Sequence, residues 1–162
     1  EVIYDLPAGY EPVKHPRTQA VIPPKFPFEH AGAYQSQPTL RKQLADWLTA
    51  PENPYFARSI VNRFWSYMIG IGVIEPVDDI RSSNPPSNPE LLDALVRDFV
   101  DHGFDLKNLL RTIANSRTYQ LSIETNSWNE DDKVNFSHAL PRRLTAEQLQ
   151  DSISAAMGVP IP

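Results

Sequence analysis

The stretch NPELLDALVRDFVDHGFDLKNLLRTI, residues 88–113, decides the fold of this chain. Apolar residues recur in it every three or four positions, which is the spacing of one helix face. The Asn-Pro pair at its start supplies a capping side chain and a proline at the first helical position. Gly103 suits the end of this helix, and Asp105 caps the next one. Since only about three residues separate them, the helices 89–102 and 106–118 are predicted to form a central antiparallel hairpin.

Similar signals on both sides of this hairpin predict further helices. Apolar residues at helical spacing precede Pro51, which ends one helix. A second Asn-Pro pair, at Asn53, predicts a helix that runs to about Met68. Towards the end of the sequence a capping box starts at Thr145, and Gly158 ends the helix that follows. Together these segments predict an all-α fold of five or six helices.

The first 38 residues have a different composition. They contain seven prolines, each of which fixes φ and removes a backbone donor, so no helix is expected there. They also carry too many apolar side chains for a solvated linker. Residues 1–37 are therefore predicted to be an extended proline-rich arm that lies across the helical body or a neighbouring domain, and residues 38–162 a helical domain. Because the sequence starts at Glu1 and stops just after a predicted helix, we expect a piece of a longer protein.

Charge and cysteine content exclude several classes of function. The 162 residues carry 15 basic and 20 acidic side chains, a net charge of −5, and no segment is basic. A protein that binds along the phosphates of a nucleic acid needs Lys and Arg side chains clustered on one face, so no nucleic-acid partner is expected. The longest apolar or glycine run, Ile69–Ile74, is far shorter than the about 20 residues that span a bilayer, so no membrane insertion is expected. Without cysteine the chain lacks thiolate chemistry, iron–sulfur clusters and covalent haem attachment, and we expect no cofactor in it.

One group of polar residues is the candidate site. An arginine and an asparagine four residues apart share a face of the second predicted helix, and two adjacent aspartates follow in the connector. The group, here called the polar cluster, consists of Arg58, Asn62, Arg63, Asp78 and Asp79. Two interpretations are open: a buried ion-pair network that fixes the connector against the helix, which is favoured, and a ligand site that uses the planar fork of arginine. Metal binding or acid–base work by the two aspartates is a third, less favoured interpretation.

The other chemistry-bearing residues match no catalytic or metal-binding pattern. The sequence has no nucleophile elbow, P-loop, dinucleotide fingerprint or zincin helix. The four histidines are His15, His30, His102 and His138, and no two have the three- or four-residue spacing of a helical metal pair. We therefore expect no metal site. Trp128 lies beside three acidic residues and is weighed as an exposed contact for a partner, but packing against the body is favoured.

An ordered series of short segments resembles a known family. The segments are Leu44–Arg58, Val61–Trp65, Gly70–Gly72, Pro76–Arg81, Asn84–Leu92, Gly103–Lys107, Ser116–Ser122 and Arg142–Glu147. Together they resemble the domain of unknown function 1553, also called the planctomycete PSD-one domain, over roughly residues 38–158. The family usually has an aromatic residue where this chain has Ile69. Its domain is also longer, so the chain is expected to be truncated at its C-terminal side.

The resemblance implies a module of large exported proteins from planctomycetes, verrucomicrobia and their relatives. Such proteins often place the module downstream of a companion domain of unknown function, sometimes together with a cytochrome-c-type haem domain. A haem of that kind would lie outside this cysteine-free chain. The resemblance supplies no activity and no catalytic residue. It implies an extracytoplasmic location, periplasmic or on the cell surface, with companion domains of the same parent protein as partners.

We therefore expect a non-catalytic interaction or scaffold module of a large exported bacterial multidomain protein, with an extracellular polymer as a further candidate partner. The alternative is part of an extracellular enzyme, polymer-processing or electron-transferring, whose ligand site is the polar cluster. The two hypotheses differ in the setting of Arg58 and Arg63. An open cleft lined by the polar cluster would favour the enzyme, whereas burial and full pairing of both arginines would favour the scaffold.

Overall fold

The computed structural model describes residues 12–29 and 38–158. Within these ranges the chain forms five α-helices and no β-strand, which confirms the predicted all-α fold. The helices are α1 (Leu40–Thr49), α2 (Phe56–Ile69), α3 (Pro89–Asp101), α4 (Leu106–Ala114) and α5 (Ala146–Met157). The chain divides into two compact units, Glu1–Arg58 and Ser59–Pro162. The domain boundary predicted between residues 37 and 38 stays a prediction, and so does the truncation.

In the first unit the described part of the arm is non-helical and packs on α1. Residues 13–22 form a turn that is closed by a hydrogen bond of 2.9 Å from Ile22 N to Val13 O. The arm then passes over Trp47, a buried residue of α1. The ring of Phe26 stacks on this indole at a centroid distance of 5.1 Å, and Trp47 Nε1 donates to Phe28 O at 3.0 Å. The described part of the arm is thus free of helix, as its prolines predict, but it contains a turn, and an extended arm over residues 1–37 stays a prediction.

The Asn-Pro pair before α2 supplies the predicted capping side chain, but the helix begins later than predicted. Asn53 Oδ1 accepts hydrogen bonds from the N–H groups of Tyr55 at 2.9 Å and Phe56 at 3.2 Å, and the helix begins only at Phe56. Pro54 consequently lies before the helix and not at its first position. Asn53 is buried, and its Nδ2 donates to Trp47 O at 3.1 Å. The asparagine side chain thus links the end of α1 to the start of α2.

In the second unit α3 and α4 form the predicted antiparallel hairpin. Asn88 Oδ1 accepts a hydrogen bond of 3.0 Å from Leu91 N, so the Asn-Pro signal is confirmed at this helix. Gly103 and Phe104 both have a φ of 63° in the turn between the helices. Phe104 N donates to Phe99 O at 2.9 Å, and the two rings meet edge to face at 5.4 Å. The left-handed backbone of the turn is therefore held by the contact of Phe104 with the buried Phe99.

The end of α4 differs from the prediction, whereas both ends of α5 agree with it. α4 ends at Ala114 and not at residue 118, because Ser116 N donates at 3.0 Å to Ile113 O, three residues back, which is the pattern of a 3₁₀ turn and not of an α-helix. α5 starts with the predicted capping box at Thr145 and ends at Gly158, whose φ of 67° is the left-handed conformation that favours glycine.

The core of the second unit combines three helices with the connector between α2 and α3. Its large buried apolar side chains are Val61, Trp65, Val73, Ile74, Leu92, Leu95, Phe99, Leu109 and Ile113. Two of them, Val73 and Ile74, belong to the connector, which contains no helix. A non-helical segment is therefore part of the core, and its backbone polar groups need partners there.

Candidate functional site

The centre of the polar cluster is Asn62, a fully buried residue of α2 with 0% of its surface exposed. Its Nδ2 donates to Ile74 O at 2.9 Å and to Val77 O at 3.0 Å, and its Oδ1 accepts from Ile74 N at 2.9 Å. One side chain therefore supplies the partners for three backbone groups of the connector. This pattern is that of a structural amide, since both polar atoms are occupied by the chain itself.

The connector is shaped to bring its backbone against this side chain. At Gly72 a Cβ would overlap the carbonyl oxygen of Ile74 and would lie 3.2 Å from both polar atoms of Asn62, so only glycine fits. Gly72 N donates to Glu75 Oε2 at 3.0 Å. Further along, both the N–H and the hydroxyl of Ser87 donate to Val73 O, at 2.8 and 3.1 Å. The connector is consequently held at several points.

The two ion pairs that involve the polar cluster are partly exposed to solvent. Arg63 forms an ion pair with Asp78; the side chain of Arg63 is 38% exposed and that of Asp78 is 64% exposed. Arg81 forms an ion pair with Asp79 at 2.8 Å. The pKa of Arg63 is raised above its ordinary value, first by a hydrogen bond with the Tyr67 side chain and then by the hydrogen bond with Asp78 and the negative charge of that residue. This guanidinium therefore stays charged. The two aspartates pair with different arginines and do not converge on one cation. Ion pairs as exposed as these contribute little to stability.

Arg58 is the one member of the polar cluster that falls in the first unit. It is half-buried in the first turn of α2 and belongs to the unit Glu1–Arg58, whereas Asn62, Arg63, Asp78 and Asp79 belong to Ser59–Pro162. The second unit thus brings together one buried amide and two exposed ion pairs. A wholly buried ion-pair network, which the sequence favoured, is wrong for Arg63, because its partner lies on the exposed side of the connector.

The described histidines make local contacts with the backbone. His15 Nδ1 accepts hydrogen bonds from two N–H groups of its own turn, at 3.2 Å each. His102 Nδ1 lies 2.8 Å from Asp98 O, and the two ring nitrogens of His138 lie 3.1 and 3.0 Å from backbone oxygens. His30 falls outside the described residues. Among the residues that the structure describes, no three His, Asp or Glu side chains are grouped so that they could hold a metal ion.

The loop before α5 contains a feature that the sequence analysis misjudged. Trp128 is 94% exposed, so the favoured packing against the body is wrong. Its backbone is nevertheless fixed, because Trp128 N donates to Asn126 Oδ1 at 2.9 Å and Asn126 N donates to Asn129 Oδ1 at 2.7 Å. Phe136, further along the same loop, packs edge to face on the buried Trp65 at 5.3 Å. The aromatic that reaches the core is Phe136.

Asp132 organises that loop by accepting several hydrogen bonds. The N–H groups of Val134, Asn135 and Ser137 donate to its carboxylate at 3.0, 2.8 and 3.1 Å. The hydrogen bond with the Ser137 side chain, followed by those with the N–H groups of Asn135 and Val134, holds the pKa of Asp132 well below its usual range. Several donors aimed at one carboxylate favour its charged form.

The first unit contains an apolar groove that the sequence analysis missed. The groove has a cavity of about 360 Å³ between the arm and α1, lined by Pro24, Lys25, Phe26, Pro27, Leu40, Arg41, Gln43 and Leu44. Three leucines of α1 remain exposed along it or beside it: Leu40 by 61%, Leu44 by 47% and Leu48 by 40%. Their spacing of four residues was visible in the sequence as a helix face, but only Trp47 of α1 is buried.

A second cavity, of about 920 Å³, lies in the second unit near α5. At one side of it Arg142 Nη1 donates to Tyr67 O, and the Arg142 side chain lies over Gly70, where a Cβ would be 2.8 Å from Cδ. α5 buries none of its side chains, and Leu149, Ile153 and Met157 are exposed on it. The apolar face that predicted this helix is therefore not covered by the described residues.

The fold and the site define an all-α domain whose polar cluster is centred on a structural amide. Comparison with protein families matches residues 40–160 to the family PSD1, described as a protein of unknown function (DUF1553). Since this match covers most of the chain, the protein belongs to that family, and the resemblance inferred over residues 38–158 is confirmed. No curated protein and no solved structure matches the chain. In the described part of the chain, no helix is both long enough and apolar enough to cross a membrane.

Proposed function

We propose that this chain is a non-catalytic interaction module of a large exported bacterial multidomain protein. The observation that carries the proposal is the row of exposed leucines on α1, Leu40, Leu44 and Leu48, beside a cavity with mostly apolar walls. A contiguous exposed apolar surface is typical of a site for another protein segment. The exported, extracytoplasmic setting rests on the family resemblance of the sequence, which also supplies companion domains of the parent protein as the expected partners.

The hydrogen bonds and ion pairs of the polar cluster support the same proposal, because they are made within the chain. A ligand site needs polar atoms that point at the ligand, but both polar atoms of Asn62 bind the connector. Arg63 and Asp78 bind each other, and Asp79 binds Arg81. The arrangement favours a cluster that holds the fold over one that performs chemistry. An extracellular polymer stays a further candidate partner.

The experiment measures association between this chain and the flanking regions of the parent protein, expressed separately. Isothermal titration would compare the wild type with Leu44→Ser on α1 and with Leu149→Ser on α5. The two leucines are 47% and 50% exposed, so the variants are matched in chemistry and exposure. We expect the first variant to lose association by about tenfold or more and the second to retain it.

The alternative, part of an extracellular enzyme with its ligand site at the polar cluster, is tested on the same protein. A thermal-shift panel with divalent metals, EDTA and soluble polysaccharide fragments would detect tight binding as a rise in the melting temperature. A rise that is lost in both Arg63→Ala and Asp79→Ala would establish a ligand site and overturn the proposal. Equal association of wild type and Leu44→Ser would also overturn it, because the exposed leucines would then have no part in binding.

A further inference from the structure

The cavity near α5 has walls of mixed chemistry, in contrast to the apolar groove of the first unit. It lies within the second unit and is open to solvent. Its apolar wall includes Ile123 and Leu144, which are 63% and 57% exposed, and its polar wall includes Arg143, Asp151 and Ser152. The volume of about 920 Å³ lies within the range of about 300–1,000 Å³ that is usual for ligand pockets.

Tyr67 lines this cavity and is 61% exposed, yet it is held in place from several sides. The ring of Phe64 packs against it edge to face at a centroid distance of 6.0 Å. The Tyr67 side chain forms a hydrogen bond with Arg63, and its backbone carbonyl accepts one from Arg142 Nη1. An exposed aromatic ring that is already fixed offers a flat apolar face at a low entropic cost of binding.

Two adjacent arginines line the cavity and have different roles. Arg142 binds Tyr67 O, one of the carbonyl groups at the end of α2 that lack a partner inside the helix, so it caps that helix. Arg143 is exposed and forms no ion pair or hydrogen bond with the residues that the structure describes. Its planar guanidinium is therefore available to a carboxylate, which it can bind through two parallel hydrogen bonds.

The same cavity contains acceptors for hydroxyl groups. Asp151 is exposed and forms no ion pair with Arg143 or with any other described residue, so its carboxylate can accept hydrogen bonds from a ligand. Ser152 Oγ donates to Gln148 O at 2.6 Å, which leaves the lone pairs of this hydroxyl able to accept. The cavity thus offers one cationic donor, two acceptors and an aromatic face.

This combination discriminates between classes of anionic ligand. A nucleic acid carries closely spaced negative charges, which Asp151 in the same wall would repel. A peptide binds by extending a sheet edge or by filling an apolar groove, but no strand occurs among the described residues and these walls are partly polar. A sugar acid carries one carboxylate per ring, several hydroxyl groups and an apolar C–H face, which match the groups of the cavity one by one.

We infer that the cavity near α5 binds a segment of an acidic polysaccharide that contains hexuronic acids. The carboxylate of one sugar binds Arg143, its hydroxyl groups donate to Asp151 and Ser152, and its ring lies on Tyr67. The inference goes beyond the proposed function, because it uses a different surface from the exposed leucines of α1. It also gives a chemical class to the extracellular polymer that is a further candidate partner.

The test is isothermal titration of the whole chain with trigalacturonic acid. The trimethyl ester of this trisaccharide is the matched ligand, because esterification keeps the rings and hydroxyl groups and removes the charge. The tripeptide Asp-Asp-Asp keeps the carboxylates and lacks the rings. We expect the acid to bind about tenfold more tightly than either of the others at low ionic strength, and its preference over the ester to shrink as salt is added. Equal binding of the acid and either comparison ligand, or no binding of the acid, would overturn the inference.

Variants identify the cavity as the binding place. Arg143→Gln should abolish the preference for the acid over the ester, whereas Arg117→Gln, at an exposed arginine outside the cavity, should retain it. Tyr67→Leu should weaken both trisaccharides by about tenfold, and Tyr67→Phe, which keeps the ring, should not. Tyr119→Leu is the matched control, since Tyr119 is 43% exposed and does not line the cavity. Circular dichroism shows whether the helices of each variant are intact. A preference that survives Arg143→Gln would contradict the inference.

Two further variants separate this site from the others. Asp79 pairs with Arg81 and does not line the cavity, so Asp79→Ala should retain sugar binding. Binding that is lost in Arg63→Ala and in Asp79→Ala but kept in Arg143→Gln would move the sugar to the polar cluster and overturn this inference. Leu44→Ser should also retain sugar binding. The failure of this inference and the failure of the proposed function are therefore distinguishable.

Discussion

Replacing Asn62 by alanine should destabilise the second unit by about 4 kcal/mol. The substitution removes three hydrogen bonds and leaves the N–H and C=O of the buried Ile74 without their side-chain partner. Each buried backbone group left unsatisfied costs about 1–3 kcal/mol, so the two groups of Ile74 account for about 2–6 kcal/mol. The half-buried carbonyl of Val77 adds less, because water can reach it.

Urea denaturation followed by circular dichroism and by tryptophan fluorescence measures this loss as the change in the free energy of unfolding. Asn115→Ala is the matched control, because Asn115 is exposed at the end of α4, and it should change the free energy by less than about 0.5 kcal/mol. Asn62→Asp should be at least as harmful as alanine at neutral pH, since it keeps one acceptor but turns an oxygen towards two carbonyl oxygens. A loss below about 1 kcal/mol for Asn62→Ala would refute the reasoning.

Four further substitutions probe other parts of the second unit. Gly72→Ala should cost about 2–3 kcal/mol in urea denaturation, because its Cβ would overlap the carbonyl oxygen of Ile74; an unchanged midpoint would contradict this close approach. Asp132→Asn should lower the melting temperature at neutral pH, where the carboxylate is charged in both states. Because the folded pKa of Asp132 is lowered, its stabilisation is complete above the unfolded pKa of about 3.9 and is lost as the pH falls through the folded pKa. The difference between wild type and Asp132→Asn should therefore narrow as the pH falls below about 4, and a constant difference would contradict the assignment. Trp128→Ala should leave the melting temperature unchanged, whereas Trp65→Ala should cost about 3–5 kcal/mol; equal effects of the two in thermal melts would show that the loop packs differently.

The helix boundaries were predictable where a signal acts within one turn. The capping box at Thr145 and the Asn-Pro pair before α3 involve bonds over two or three residues, so the sequence alone indicates them. At α2 the same Asn-Pro pattern indicates the capping side chain, but the helix begins at Phe56, two residues after Pro54. α4 ended earlier than predicted, because the backbone at Ser116 changes to a 3₁₀ hydrogen bond with Ile113 O, and no glycine or proline in the sequence marks this position.

Four members of the polar cluster lie in one unit, but the division of roles among them was not predictable. Helical spacing placed the asparagine and the two arginines of α2 near one another, and the aspartates followed in the connector. The partners of Asn62 lie 12 and 15 residues further along the chain, so its role depends on how the connector folds back. The exposure of Arg63, Asp78 and Asp79 depends on the same fold of the connector.

The sequence by itself determined the helical class, the hairpin of α3 and α4, the family and most of the caps. These properties come from interactions between residues close in the chain, whose geometry follows from helical periodicity. Only the tertiary structure decided which apolar faces are covered. α1 and α5 show apolar residues at the same spacing as α3 and α4. Five of these residues in α3 and α4 are buried, whereas the leucines of α1 and the apolar face of α5 are exposed. The physical reason is that burial depends on what packs against a face, and no periodicity within one helix specifies its partner.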